Sequence, residues 1–499
     1  MSEPSAEAWR CSVCGYVHRE AEPPDWCPIC GAAREDFEPH AEAPPAPAGE
    51  VRQWRCLNCT CVHGGSEPPK NCPVCGAPSD RFEPVVEAAA PGGSDRPPSQ
   101  VVVVGAGIAG LSAVESLRQA APGTRIVLIS AEAELPYYRL NLTRRLAGEI
   151  GPDDLPVHAP DWYAQNRVEL LRGAEVAELR LGEQAVELRG GRRVDFERLI
   201  LAVGAHPFVP PLAGTHRRGV TTLRTSRDAS HILDAAREGM TCVCIGGGIL
   251  GMETAGALAR RGLDVTLLEG HEWLMPRQLS RTAGDRLRRQ VEEIGIRVRT
   301  QARTEEVVGD ERAAGVRLED GETLPAEMVV IATGVRPNSH LARRAGLEVD
   351  RGVVVDHYLF TSHPNVLAAG DVAEHRGVLY GTWSAAQYQG GIAGMNAAGM
   401  KTEFGGIPRS NTLKVLGVDL LSIGQFEPED ASFLVVEEDA DGGYFRFVFR
   451  DGRMVGAVLL GDASISGSVK RAVEGQADLS GLLARRPTAQ QVARELASS

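Results

Sequence analysis

Apolar positions in this chain fall into two regimes. From residue 101 onward, short β-branched and aliphatic runs alternate with stretches of helical spacing; the runs include 101–104, 126–129, 199–202, 242–245, 265–268 and 329–332. Runs of about four apolar or β-branched residues followed by glycine or a polar break predict strands covered on both faces. Their alternation with helices predicts α/β architecture with parallel sheets. After Gly399 the pattern changes to short strands, 444–449 and 455–460, which predict a small α+β domain. The longest apolar run, 101–111, is broken by three glycines and is too short to span a bilayer.

The first 85 residues lack such runs and instead repeat at an offset of 45. Trp9-Arg10-Cys11 returns as Trp54-Arg55-Cys56, and Phe37-Glu38-Pro39 as Phe82-Glu83-Pro84. Cys11, Cys14, Cys27 and Cys30 return as Cys56, Cys59, Cys72 and Cys75. Each set reads Cys-x2-Cys-x12-Cys-x2-Cys. Two tight Cys-x2-Cys turns brought together offer four thiolates in a tetrahedron, a donor set for iron or zinc. So small a module cannot fold on apolar burial alone, so the metal must contribute to folding. Segments 41–51 and 85–99, rich in Ala, Pro, Gly and Ser, read as linkers; the first reaches roughly 34 Å if extended as polyproline.

Charge sharpens this division. The 499 residues carry a net charge of −13, which argues against a nucleic-acid partner. Residues 1–90 hold 14 acidic and seven basic residues, so the modules form the acidic end. An acidic module would dock on a basic surface, for which Arg139, Arg144, Arg145 and Arg336 are candidates. The amino terminus has no basic start followed by an apolar stretch, so a cytoplasmic protein with no membrane partner is expected, and its cysteines read as ligands or buried thiols.

Two glycine-rich turns carry the remaining chemistry. Gly105-Ala-Gly107-Ile108-Ala109-Gly110 follows a four-valine strand and opens a helix, and Glu132 lies beyond the next strand. Gly246-Gly-Gly248-Ile249-Leu250-Gly251 repeats the design, with Glu253 on its helix and Glu269 ending the next strand. Such turns bring backbone amides to a pyrophosphate at a helix amino terminus, and the acid takes ribose hydroxyls. At Glu269 a carboxylate with no arginine immediately after it favours NADH over NADPH. Cys242 and Cys244 alternate on the strand before the turn and read as structural.

These motifs resemble the two-dinucleotide-binding-domain flavoproteins over about residues 101–400. Segments 199–207 and 329–337 look like that family's domain-crossing strands, and 366–371 like its second FAD motif, whose Asp371 would hold the ribityl chain. Within the family the likeness is to NADH–rubredoxin oxidoreductases and nitrite-reductase-type flavin domains. There the 135–149 loop, with Arg139 and Arg144, would face the flavin, the 383–396 helix would lie by its ring, and 410–424 would open the C-terminal domain. The modules resemble rubredoxin chelating loops, in the shorter form seen in rubrerythrins. Trp9, Tyr16, Trp26 and Phe37 would surround the first site. In the second, Thr60, Cys61 and Asn71 replace the Gly, Tyr and Trp, which implies a different potential, or zinc.

The resemblance implies an α/β fold of two Rossmann-like domains, the NAD domain inserted in the FAD domain, with a small α+β C-terminal domain and two rubredoxin-like modules. The expected boundaries are 8–40 and 52–84 for the modules and 100–220 plus 325–400 for the FAD domain. The NAD domain is expected at 221–324, the C-terminal domain at 401–482 and a helical tail at 483–499. Cofactor-binding positions are expected at Gly105, Gly107, Ile108, Ala109, Gly110, Glu132, Arg139, Arg144, Val176, Ala202, Gly204, Gly370 and Asp371. Further positions are Gly246, Gly248, Ile249, Leu250, Gly251, Glu253, Glu269 and Gly334. Glu253 is expected near the nicotinamide, in a positioning and packing role.

No cysteine lies between Cys75 and Cys242. The thiolate relay of disulfide reductases is therefore missing, and electrons must leave the flavin by another route. The favoured function is an FAD-dependent NADH oxidoreductase that passes electrons to its own two Fe(Cys)4 centres and on to a diiron, peroxide-reducing or oxygen-reducing partner. The alternatives are a flavin reductase component of a nitrite reductase- or dioxygenase-type system, and a flavoprotein whose modules are partner-binding zinc ribbons.

Overall fold

The computed structural model describes residues 96–406, 410–440, 442–475 and 477–498. Of the amino-terminal modules it describes 9–11, 17–18, 37–39, 53–56, 62–64, 67–69 and 82–84, with single positions 23, 34 and 79. The two modules share one strand plan. Trp9–Cys11 pairs antiparallel with Val17–His18 and Phe37–Pro39, so that Trp9 faces Pro39. Gln53–Cys56 pairs the same way with Val62–Gly64 and Phe82–Pro84, placing Trp54 opposite Pro84.

Two five-stranded parallel sheets follow. The first runs Val366–Ala368, Arg198–Leu201, Gln100–Val104, Arg125–Ile129, Val168–Leu171. Val101, Val102 and Val103 are fully buried because helices cover both faces of the strand. The helix Ile108–Ala120 lies against Trp383–Ala397 at very short range. A Cβ on Gly390 or Gly394 would fall 2.2 Å from the Ala109 or Ala113 carbonyl oxygen. The second sheet repeats the plan in the order Val220–Thr221, Met328–Ile331, Thr241–Ile245, Asp264–Leu268, Arg297–Arg299. The chain crosses between the two units at Ala205–Pro207 and Val335–Pro337, which pair antiparallel.

This pairing corrects one boundary. Met328–Ile331 falls beyond the expected limit of the NAD domain at 324, yet it lies between Val220–Thr221 and Thr241–Ile245 in the second sheet. The inserted unit therefore runs from crossing to crossing. An apolar run such as 328–331 shows that a strand is buried but not which of two similar sheets receives it.

The C-terminal domain is an antiparallel sheet in the order Ser410–Val415, Val418–Gly424, Arg453–Gly461, Gly443–Arg450, Phe433–Ala440. Period-two alternation divides its side chains between two cores. Leu420, Tyr444, Val458 and Leu460 join the apolar cluster of the inserted unit. Leu421, Phe445, Phe447 and Leu459 face the helices Ser466–Glu474 and Ala489–Ser498. The expected separate tail is thus part of this domain: Ala489, Val492 and Leu496 are buried on its sheet. Among the described residues, no helix is long and apolar enough to cross a membrane.

Candidate functional site

The first glycine turn is shaped by backbone contact. Gly105 has φ +103°, and a Cβ there would stand 2.2 Å from the Ala202 carbonyl oxygen; at Gly110 it would stand 1.9 Å from the Gly105 carbonyl oxygen. These contacts press the start of the helix Ile108–Ala120, and with it Ile108 and Ala109, onto the strand end. Gly107 caps the helix in extended conformation with no side-chain cap, and a Cβ on it would meet no atom within 4 Å. First-turn amides without a side-chain partner, next to open space at a helix amino terminus, fit a pyrophosphate.

Around this turn lies a network that the sequence reveals only in part. Glu132 accepts from Tyr137 Oη at 2.7 Å and Arg139 Nη2 at 2.6 Å. The Tyr137 hydroxyl accepts from Ser226 N at 2.9 Å, and burial pushes its pKa well above the usual phenol range. Burial works against the Arg139 charge, but Tyr137 and Glu132 more than offset this and raise its pKa. Arg139 also donates to the Arg224 carbonyl oxygen. Arg224 Nη2 in turn meets Asp371 Oδ2 at 3.0 Å and stands 3.6 Å from where Gly204 would carry a Cβ. Gly370 N donates to the buried Gln389 Oε1 at 2.8 Å.

Glu132, Arg139, Gly204, Gly370 and Asp371 are thus linked through short contacts. Arg224, Tyr137 and Gln389 belong with them and were missed by sequence reasoning. Arg224 directly precedes the helix cap formed by Thr225 and Asp228, and no local pattern distinguishes it. Arg144 does not join the group; it turns to Glu149, with Nε at 3.2 Å from Oε2. Val176 is buried at the start of its strand.

The second turn copies the first. Gly246 has φ +117° with a would-be Cβ 2.4 Å from the Ala332 carbonyl oxygen, and a Cβ on Gly251 would stand 1.9 Å from the Gly246 carbonyl oxygen. Gly248 caps the helix Ile249–Arg260 without a side-chain bond, and a Cβ there would meet nothing within 4 Å. Leu250, in the first turn, is 39% exposed. Glu269 is buried, accepting from Gly247 N at 3.0 Å and His271 N at 2.8 Å. Each carboxylate oxygen can accept a second bond, so Glu269 can both fix the turn and receive a ribose hydroxyl. Gly334, φ +112°, follows the last strand of this sheet. Glu253 faces the C-terminal domain: its Oε1 accepts from Leu416 N at 2.6 Å.

Cys242 and Cys244 are buried free thiols, and the hydrogen bond with Cys242 together with burial pushes the Cys244 thiol up. Of the eight expected metal ligands, Cys11 and Cys56 end described strands. Their side chains, and Cys14, Cys27, Cys30, Cys59, Cys72 and Cys75, lie outside the described residues. Of the four arginines expected to form a docking surface, Arg139 points inward to Glu132 and Arg145 to Ser226 and Ser230. Arg144 pairs with Glu149, and Arg336 lies over the Phe208 ring.

Three family descriptions match parts of the chain. The family described as pyridine nucleotide-disulphide oxidoreductase matches residues 99–390, and the rubredoxin NAD+ reductase C-terminal domain matches 410–477. The rubredoxin-like domain of rubrerythrin matches twice, at 9–38 and 54–83. The chain is 35% identical to the nitrite reductase [NAD(P)H] of Bacillus subtilis (strain 168), over 76% of this chain and 48% of that protein. It is 29% identical to the NADH-rubredoxin oxidoreductase of Clostridium acetobutylicum, over 75% of this chain and 94% of that one. The crystal structure of that oxidoreductase aligns with a TM-score of 0.66 at 28% identity, covering 76% and 96% of the two chains. The covalent putidaredoxin reductase–putidaredoxin complex aligns with a TM-score of 0.72 at 26% identity, over 80% of this chain and 98% of that one. The chain spans about half the length, or less, of the nitrite and nitrate reductase proteins it matches. It belongs to the pyridine nucleotide-disulphide oxidoreductase family.

Proposed function

We propose that the chain passes electrons from NADH to its own two rubredoxin-type iron centres and from there to an external acceptor. The carrying observation is the union in one chain of two four-cysteine modules with a flavin unit that has no cysteine between Cys75 and Cys242. FAD, when bound, accepts the electron pair of a hydride from NADH and returns it in single electrons.

The protein's part is binding and placement. The first turn, with Glu132, Arg139 and Asp371, would hold FAD. The second turn, with Glu269, would hold NADH and disfavour a 2′-phosphate. No side chain is assigned as an acid or base, because hydride transfer to a flavin needs orientation rather than a protein proton donor at the carbon that reacts. Two sites that each change by one electron match the two electrons of one hydride, which accounts for the duplication. Trp9 of the first module packs against the apolar cluster of the FAD-binding unit, which supports that module as the nearer acceptor.

The acceptor beyond the modules is an electron-accepting protein of the diiron, peroxide-reducing or oxygen-reducing kind. The test is metal content combined with anaerobic NADH titration of the whole chain. Iron near two equivalents, with iron–thiolate absorption bleached by NADH, is the expected result. Stoichiometric zinc without bleaching would overturn it. A second reading, a reductase serving a separate nitrite reductase- or dioxygenase-type acceptor, is favoured by the match to nitrite reductase. It requires that deleting residues 1–99 leave transfer to that acceptor intact.

A further inference from the structure

The helix that leaves the second glycine turn, Ile249–Arg260, is gripped from two sides. On one side lies the short helix Leu142–Ala147 of the flavin-side loop. Arg261 donates to the Leu146 carbonyl oxygen, and Arg260 pairs with Glu149. On the other side lies the C-terminal domain. Its first hairpin joins Ser410–Val415 to Val418–Gly424 through Leu416, φ +50°, and Gly417, φ +86°. Positive φ at both central residues makes this a tight two-residue turn of the I′ class. In such a turn the first central amide points away from the hairpin and needs an outside acceptor.

Glu253 is that acceptor, with Oε1 at 2.6 Å from Leu416 N. One turn further along the helix, Gly256 makes room for the Leu416 side chain: a Cβ on Gly256 would stand 2.2 Å from Leu416 Cδ2. The two contacts hold the same hairpin tip, one by its amide and one by its side chain. Burial raises the Glu253 pKa, with Glu149 adding to it, while the Leu416 amide and Arg260 oppose. Glu253 lies five residues beyond the Gly248 cap, about 7.5 Å along the helix axis. A shift of the hairpin therefore reaches the amide cradle with little helix between them to absorb it.

We propose that Glu253 and Gly256 form a receptor for the Leu416–Gly417 hairpin tip, which makes Glu253 a positioning residue through which the C-terminal domain sets the nucleotide-binding end of this helix. The inference rests on the reading that the second glycine turn takes NADH. It gives the C-terminal domain a part in NADH binding through Glu253 and Gly256.

The test uses full-length protein with its flavin and four variants: Glu253→Ala, Glu253→Gln, Leu416→Ala and Gly256→Ala. Glutamine keeps an oxygen that can accept the Leu416 amide; alanine does not. Losing a hydrogen bond to a charged acceptor is expected to raise KM for NADH about tenfold or more, with kcat less affected. Glu253→Ala should also speed amide hydrogen exchange over 410–424, while FAD content stays that of the parent. Glu253→Gln should restore most of both properties. Leu416→Ala and Gly256→Ala, which leave the carboxylate in place, should raise KM and exchange together.

A rise in KM for Glu253→Ala without faster hairpin exchange would overturn the proposal, because the carboxylate would then act on the nucleotide directly. Unchanged KM in both Leu416→Ala and Gly256→Ala would also overturn it. If NADH fails to reduce the flavin of the parent protein, the NADH reading itself has failed. The exchange measurements would still report separately whether Glu253 holds the hairpin.

Discussion

Substituting alanine for the third glycine of each turn tests the assignment of the two nucleotides. A Cβ at Gly251 would stand 1.9 Å from the Gly246 carbonyl oxygen, and a Cβ at Gly110 the same distance from the Gly105 carbonyl oxygen. The opposing atom is backbone in both cases, so no rotamer change relieves the clash. The helix start must back away from the strand end by about 1 Å in a close-packed interior. Overpacking of this order costs about 1–3 kcal/mol. Charged against nucleotide binding alone, that is roughly a 5- to 150-fold rise in Kd. Gly251→Ala should purify with full flavin absorbance but show weak NADH binding by anaerobic titration. Gly110→Ala should purify depleted of flavin and regain it only at high added FAD. Gly123→Ala, where a Cβ would meet no atom within 4 Å, should match the parent in both assays. Loss of flavin from Gly251→Ala with Gly110→Ala unaffected would reverse the assignment, and parental behaviour in both would refute the close-approach argument.

Four further outcomes are expected. Glu269→Gln removes the charge but keeps one acceptor for Gly247 N or His271 N; NADH kcat/KM should fall about tenfold and preference over NADPH should shrink, while an unchanged NADPH/NADH ratio would deny Glu269 its role. Val492→Asp places a charge in the covered face of the C-terminal sheet and should cost roughly 3 kcal/mol or more in thermal unfolding, whereas Arg494→Ala on the exposed face should cost little. Because burial raises the Glu253 pKa in the folded state, its contribution is fully present below the ordinary carboxylate pKa and is lost as pH rises through the raised value. Glu253→Gln should therefore gain stability relative to the parent as pH increases over that window, and parallel pH–stability curves would contradict this. Transfer from flavin to the first module should depend only weakly on ionic strength; a steep fall with added salt would point to docking by exposed charges.

Most of the nucleotide-binding architecture is legible in the sequence because its constraints are local. A buried strand, a glycine turn and a helix start lie within a dozen residues, as in 101–111 and 242–253. The pairs that complete the site are distant. Arg224 and Asp371 are 147 residues apart, Tyr137 and Ser226 are 89 apart, and Glu253 reaches Leu416 across 163. Asp371 and Glu253 sit in recognisable motifs, but Arg224, Ser226 and Leu416 carry no local signal until the fold brings them to their partners. The boundary near 325 was misplaced for a related reason: 328–331 has the pattern of a buried strand, and either parallel sheet could take it. The C-terminal helix differs, since its signal was present. Ala489, Val492 and Leu496 recur at steps of three and four, but the stripe is narrow and begins with alanine among polar residues. It reads as polar until the sheet it covers is known.

The arginines also change how the acidic modules must meet the flavin unit. Net charge suggested a basic patch built from Arg139, Arg144, Arg145 and Arg336. In the fold Arg139 pairs with Glu132, Arg144 shares Glu149 with Arg260, and Arg145 hydrogen-bonds Ser226 and Ser230. Arg336 keeps its exposure but stacks on Phe208. Arg139 is compensated by its own carboxylate, and salt screens the others beyond about a Debye length of 8–10 Å. Among the described residues, Trp9 of the first module packs against the apolar cluster of the FAD-binding unit. A tether supplies effective concentration on the order of millimolar, so a small apolar contact suffices where a free redox protein would need charge steering.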